Sequence, residues 1–243
     1  MIPKLMKASV VSILAILLIS GCGLIPILGS RNIISGNRNV SGFDRLEVSG
    51  AGDMTIIQDG TETLTIETDD NVMQYVTTKV QGGTLSIALE APGLRSVIPS
   101  RLRLILHVKD LSDIITSGSW NVASASFQTK SLDITVSGSG KVAIPTLTAD
   151  NLTVHIRGSG EMVMAGKVKS QAVTISGSGS YNAGNLQTRD TEVEVSGSGN
   201  VTTWVTDSLD ARISGMGTIS YYGSPQVAFN QSGSGILKRL GSR

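Results

Sequence analysis

Five charged side chains in the C-terminal third are spaced so that they could act together. Asp190, Glu192 and Glu194 alternate along one stretch, and Asp210 and Arg212 hold the phases of Glu192 and Glu194 one repeat later. Alternate residues of a strand share a face. If the two stretches stack, Glu192 falls beside Asp210 and Glu194 beside Arg212. Like charges one strand apart repel, which can raise a carboxyl pKa or attract a cation. The five residues are therefore ligand or cation candidates, and an acid pair of this kind is what a polysaccharide lyase or hydrolase would need. They also read as a solvated face with Arg189 and Arg212 as counter-charges, and that reading is preferred.

Other chemistries find less support. His107 and His155 are the only histidines and lie far apart in sequence, so no zinc-ligand set converges. Neither has a neighbouring serine and acid that would make a catalytic triad. Calcium β-rolls place Asp after their glycines, whereas here Lys141, Glu161, Ser180, Asn200, Thr218 and Ile236 follow them. No metal, cofactor or catalytic residue is expected. A formal net charge of +1, with Lys and Arg dispersed, excludes a phosphate-reading face and hence nucleic acid as a partner.

The single cysteine, Cys22, rules out an intrachain disulfide framework. It follows a basic start (Lys4, Lys7), an apolar core from Val10 to Ile19, and the small residues Ser20 and Gly21. This pattern is a secretory signal, and its end resembles the bacterial lipobox, in which the cysteine is acylated and becomes the new N-terminus. A membrane-spanning helix would need about 20 apolar residues, and Gly21, Gly23 and Pro26 interrupt the run. Residues 1–21 are read as a lipoprotein signal peptide, Cys22 as the lipidation site, and 22–39 as anchor and tether. The expected address is the bacterial cell envelope, with the membrane as a partner through the lipid.

What must position the charged ladder is a repeat. Paired glycines recur at Gly138 and Gly140, Gly158 and Gly160, Gly177 and Gly179, Gly197 and Gly199, Gly215 and Gly217, and Gly233 and Gly235. The steps are 18 to 20 residues, too regular for a linker. Two and four positions before the first glycine the chain is apolar (Ile134 and Val136, Val154 and Ile156, Val173 and Ile175), and four positions after it an apolar residue returns (Val142, Met162, Tyr181, Val201, Ile219). A third inward strand begins at Phe127, Leu147, Val168, Leu186 and Val205. One such unit cannot bury its apolar face alone, but a stack of them can. The spacing predicts an all-β fold: a right-handed parallel β-helix with coils over 111–240 and an irregular N-terminal β portion over 40–110. In that portion Asp69-Asp70-Asn71 is expected to cap a short helical turn over 72–76, and Gln81-Gly82-Gly83 to form a hairpin turn. Trp204, Tyr221 and Tyr222 are expected to cover the last coils or offer a sugar-stacking surface, and Lys238, Arg239 and Arg243 to make a polar end.

Gly42-Phe43-Asp44, Val48-Ser49-Gly50-Ala51-Gly52-Asp53, Asp69-Asp70-Asn71, the Ser-Gly-Ser-Gly coils and the closing Ser232-Gly233-Ser234-Gly235 together resemble the bacterial family described as "putative auto-transporter adhesin, head GIN domain". The resemblance covers residues 40–240. It implies a β-helical envelope domain described as an adhesin and carries over no activity, ligand or site residues; a glycan or surface protein is the expected partner. Two other readings stand beside it: a carbohydrate-active β-helix enzyme using Glu192 and Asp210, and a periplasmic structural or stress-related lipoprotein.

Overall fold

The computed structural model describes residues 26–93 and 95–243; the signal-peptide and Cys22 assignments fall outside them. Within them the repeat folds as a parallel β-helix whose register runs glycine on glycine. Gly50 pairs with Gly118, Gly118 with Gly138, and the column continues through Gly158, Gly177, Gly197 and Gly215 to Gly233. Every member has a positive φ, from 105° at Gly118 to 132° at Gly215, a region that side chains with a Cβ rarely enter. Space is equally closed: a Cβ on Gly158 would stand 2.7 Å from the carbonyl oxygen of Gly138. That oxygen instead accepts the Ser159 amide at 2.9 Å, so each corner is tied to the one before it.

The second glycine of each pair has a different cause. A Cβ on Gly160 would meet Val136 Cγ1 at 2.7 Å, and one on Gly179 would meet Ile156 Cγ2 at 2.5 Å. Buried branched side chains of the preceding rung lean into the space the missing Cβ leaves. Where the second glycine is absent, Trp120 is buried instead, and its ring lies where a Cβ on Gly52 would be, 2.9 Å from Cζ3. The inward positions before and after the corner are buried as the alternation predicts, from Ile134 and Val136 to Ile213 and Ile219.

The third strand is buried at the expected residues but not aligned as the sequence suggests. Phe127 pairs with Leu147, Leu147 with Gly166, and Gly166 with Leu186, while Val168 pairs with Ala149 and Val205 with Thr188. Bulges near 144–147, 163–165 and 183–190 absorb the differing coil lengths, as extra residues in one strand must.

Residues 59–112 form an excursion between two rungs that pair directly, Arg45–Gln58 and Asp113–Ser124. Leu102–Val108 pairs parallel with the first of these and antiparallel with Thr63–Asp69, whose other edge takes Ile33–Arg38. The hairpin of Val76–Gln81 and Thr84–Leu89 turns at Gly82 and Gly83, with φ of 56° and 81°, the sign a tight primed turn demands.

Two expectations are corrected here. The stretch read as a tether up to residue 39 is strand at Ile27–Leu28 and Ile33–Arg38; its partners lie 26 or more residues away, where local periodicity carries no signal. Asp69-Asp70-Asn71 provides no side-chain cap to the single 3-10 turn Met73–Tyr75. Its side chains reach backward to the N-terminal segment instead. Asp69, wholly buried, accepts the Arg31 amide at 2.6 Å, the Ser100 amide at 2.8 Å and the Ser100 hydroxyl at 2.5 Å. Asp70 accepts the Ser30 hydroxyl at 2.5 Å and Asn32 Nδ2 at 2.8 Å, and Asn71 accepts the Ser30 amide and donates to the Leu28 carbonyl.

Candidate functional site

The outward residues of five successive rungs form two polar columns. One runs Asn151, Ser170, Asp190, Ser208, Gln226, and the other Thr153, Ala172, Glu192, Asp210, Ala228. Between them lie Leu152, Gln171, Thr191 and Leu209, buried because alternation turns them into the core. The columns border a groove of about 620 Å³ running along the solenoid axis, within the size range of ligand clefts. Small side chains at Ser170, Ala172, Ser208 and Ala228 make it concave.

Three of the charged candidates, Asp190, Glu192 and Asp210, lie on its wall, and Glu194 and Arg212 lie outside the lining. Glu192 pairs with Asp210 and Glu194 with Arg212, in the register the spacing predicts. The guanidinium does not follow that register: Arg212 bonds to Glu192 Oε1 and, at 2.6 Å, to Asp210 Oδ2. The hydrogen bond it donates to Glu192, reinforced by the charge of Asp210, raises its pKa further. Asp190 accepts the Ser208 hydroxyl at 2.6 Å, and Arg189 pairs with Asp207 at 3.0 Å. The acids are thus cross-linked along the axis rather than left as a bare repulsive cluster. No group of three or more His, Cys, Asp or Glu side chains is arranged to hold a metal ion among the described residues.

Beneath the groove is a buried polar network that the alternation pattern does not reveal. Gln171 Nε2 donates to Thr203 Oγ1 at 2.6 Å and Thr191 Oγ1 at 3.2 Å, while the Tyr181 hydroxyl donates to Gln171 Oε1 at 2.8 Å. Thr188 Oγ1 lies 2.7 Å from Thr191 Oγ1 and donates to the Trp204 carbonyl at 2.9 Å. Burial pushes the Tyr181 phenol far above its ordinary value, so it stays a donor. The network spans three rungs and fixes the floor on which the groove residues stand.

Both histidines sit at the partly exposed phase of their strands, between buried neighbours. His107 also belongs to an ion pair, its Nδ1 2.7 Å from Asp59 Oδ2. Asp59 additionally accepts the Thr61 hydroxyl and amide, and these bonds, that of Thr61 foremost, hold its pKa down to about 2. The pair buttresses the Asp59-Gly60 turn.

At the far end the aromatic and basic residues part ways. Tyr221 packs against the core. Tyr222 lies over Gly184, and Arg243 stacks on its ring 4.4 Å from the centroid while bonding to Asn185. Arg239 reaches the Gly223 carbonyl at 2.8 Å and Ser224 Oγ at 2.6 Å. The expected polar end is formed only in part: Lys238, Arg239 and Arg243 are exposed there, but both arginines are tied back to preceding residues, and Val227, Phe229, Ile236 and Leu240 are exposed as well.

A family profile described as "Putative auto-transporter adhesin, head GIN domain" matches residues 42–225. Among solved structures, the chain is similar to a putative adhesin from Bacteroides fragilis NCTC 9343, at 27% identity and a TM-score of 0.83 over 88% of this chain and 100% of that one. A putative lipid binding protein from Parabacteroides distasonis ATCC 8503 matches at 24% identity and a TM-score of 0.76, over 89% and 100% of the two chains. A putative adhesin from Parabacteroides merdae ATCC 43184 matches at 20% identity and 0.67, over 88% and 98%. No curated protein matches.

Proposed function

Because the chain belongs to the putative auto-transporter adhesin, head GIN domain family, we propose that it is a lipid-anchored binding module of the bacterial cell envelope and not an enzyme. Its ligand, a glycan or a surface protein segment, lies along the axial groove. The observation that carries this reading is the groove itself, a polar cleft repeated over five rungs with Asp190, Glu192 and Asp210 on its wall. A solenoid provides such a surface because each rung repeats the placement of the last, about 4.8 Å further on. Asp210 lies in the groove lining, where one carboxylate oxygen holds Arg212 and the other, Oδ1, is buried with no hydrogen-bond partner.

Catalysis by Glu192 and Asp210 would require carboxyl groups free to exchange a proton. Both engage the same guanidinium, which favours binding over turnover. Anchoring follows from Cys22 at the end of the signal pattern, since several acyl chains together hold where one would not. Three measurements test the reading. Labelled palmitate should enter the wild-type protein and not Cys22→Ser; protease added to intact cells should digest the domain; and a glycan array should show binding without release of reducing ends. Incorporation that persists in Cys22→Ser removes the anchor, and full protection on intact cells returns the protein to a periplasmic structural role.

A further inference from the structure

We propose that the N-terminal end of the solenoid is a membrane-contact face, centred on Leu28 and Ile98. These two residues pair in parallel across a two-residue ladder, and their side chains are 62% and 51% exposed. Single exposed apolar residues need no explanation. A couple paired across two strands is a different case, and the terminal edge strand that follows carries two more exposed apolar residues, Ile33 and Ile34, one on each of its faces. Asp69 binds the amides of both Arg31 and Ser100, so the exposed side chains of Arg31 and Arg101 flank the couple. Apolar residues ringed by cations fit the boundary between acyl chains and anionic headgroups.

The occupant follows from where the chain leads, and here the inference rests on the lipid-anchor reading. Only four peptide steps separate Cys22 from Pro26, at most about 14 Å of extended chain, so an acylated Cys22 holds this end, and no other, against the bilayer. The Asp69-Asp70-Asn71 clamp on residues 28–32 then fixes the orientation of the domain. A second copy docked two-fold on the same patch would bring its own Arg31 and Arg101 toward these, a like-charge approach that disfavours it. The seven steps of the glycine column from Gly50 to Gly233 carry the last rung about 34 Å outward, which holds the groove on the side of the solenoid, clear of the lipid.

Full-length protein produced in bacterial membranes and reconstituted into phosphatidylethanolamine–phosphatidylglycerol vesicles with nitroxide-labelled lipid tests this. A fluorophore is placed at Ser96→Cys or at Ser234→Cys, and mass spectrometry of the N-terminus reports acylation separately. Quenching at position 96 should exceed that at 234 by about threefold or more, since such faces sit within about 5–10 Å of the acyl boundary. In Leu28→Ser/Ile98→Ser it should fall to the level at 234, with acylation and circular dichroism unchanged. Equal quenching at both positions in acylated protein overturns the contact face and leaves the anchor standing. Preferential quenching at 96 in protein lacking the acyl group upholds the face and removes the anchor. Protein that is neither acylated nor vesicle-bound removes both.

Discussion

Arg212 bonds to Glu192 on the preceding rung and to Asp210 two residues earlier on its own strand, although its backbone partner in the sheet is Glu194. The guanidinium therefore sits between the two carboxylates whose repulsion would otherwise create a cation site. Calcium should leave the melting temperature of the wild-type protein unchanged. In Arg212→Gln the melting temperature should fall, more at pH 8 than at pH 4, and calcium should restore part of the loss. Differential scanning fluorimetry across pH and calcium reads all three. A calcium shift in the wild type that Glu192→Gln abolishes would mean the acids act as a cation site despite Arg212.

The glycine column predicts a graded set of substitutions. Gly158→Ala combines a positive φ with a Cβ driven onto the Gly138 carbonyl, so it should cost about 3 kcal/mol or prevent folding. Gly60→Ala shares the positive φ but faces open space and should cost only about 1 kcal/mol. Urea denaturation distinguishes them. Equal losses would mean that rung contact adds nothing to backbone strain.

The network under the groove should behave as a unit. Tyr181→Phe leaves Gln171 Oε1 without its donor and should cost about 1–2 kcal/mol, while Gln171→Leu strands the partners of both the oxygen and the nitrogen of its amide and should cost more. Because the two residues share one hydrogen bond, the double variant should be less damaged than the sum of the singles, by about 1 kcal/mol. Strict additivity would contradict the network.

These cases also show what the sequence makes legible. Val, Ile and the paired glycines disclose the solenoid because every rung faces the same demand, and strand alternation together with an eighteen-residue step placed Glu192 beside Asp210. Gln171, Thr188, Thr191 and Thr203 stayed hidden because a polar residue at an inward phase looks like a lapse in the pattern until its partners on other rungs are known. Ile33–Arg38 stayed hidden for a related reason: its ladder is made with residues 64–69, and nothing local marks it. The apolar exposure of the last rung was missed because Lys238, Arg239 and Arg243 suggest a cap by composition, whereas the hydrogen bonds of Arg239 and Arg243 are made to residues behind them.

The clamp at Asp69 predicts acid sensitivity of the N-terminal segment. Burial tends to raise its pKa, but the hydroxyl of Ser100 and the amides of Arg31, Ser100 and Arg101 outweigh it and hold the group below the ordinary value of 3.8. A depressed carboxyl stabilises the fold above the unfolded-state pKa and loses that contribution as pH falls through the folded one. Hydrogen exchange of residues 27–34 should therefore accelerate below about pH 4, ahead of the coils. Asp69→Asn should show the fast exchange at pH 7 already and flatten the pH dependence. Unchanged exchange in Asp69→Asn would show that the segment is held by its strand pairing alone.

The central claim is that the axial groove is the binding face, and occupying it tests that most directly. Ala172→Trp places an indole in the groove at a position that is only partly buried and makes no side-chain hydrogen bond, whereas Thr135→Trp adds the same bulk to an outward position of another rung, away from the groove lining. On a glycan and peptide array the wild type and Thr135→Trp should bind the same ligands, and Ala172→Trp should lose at least about tenfold in affinity, 1.4 kcal/mol, with its melting temperature retained. Ligand binding untouched by Ala172→Trp would contradict the account and place the binding face elsewhere on the solenoid.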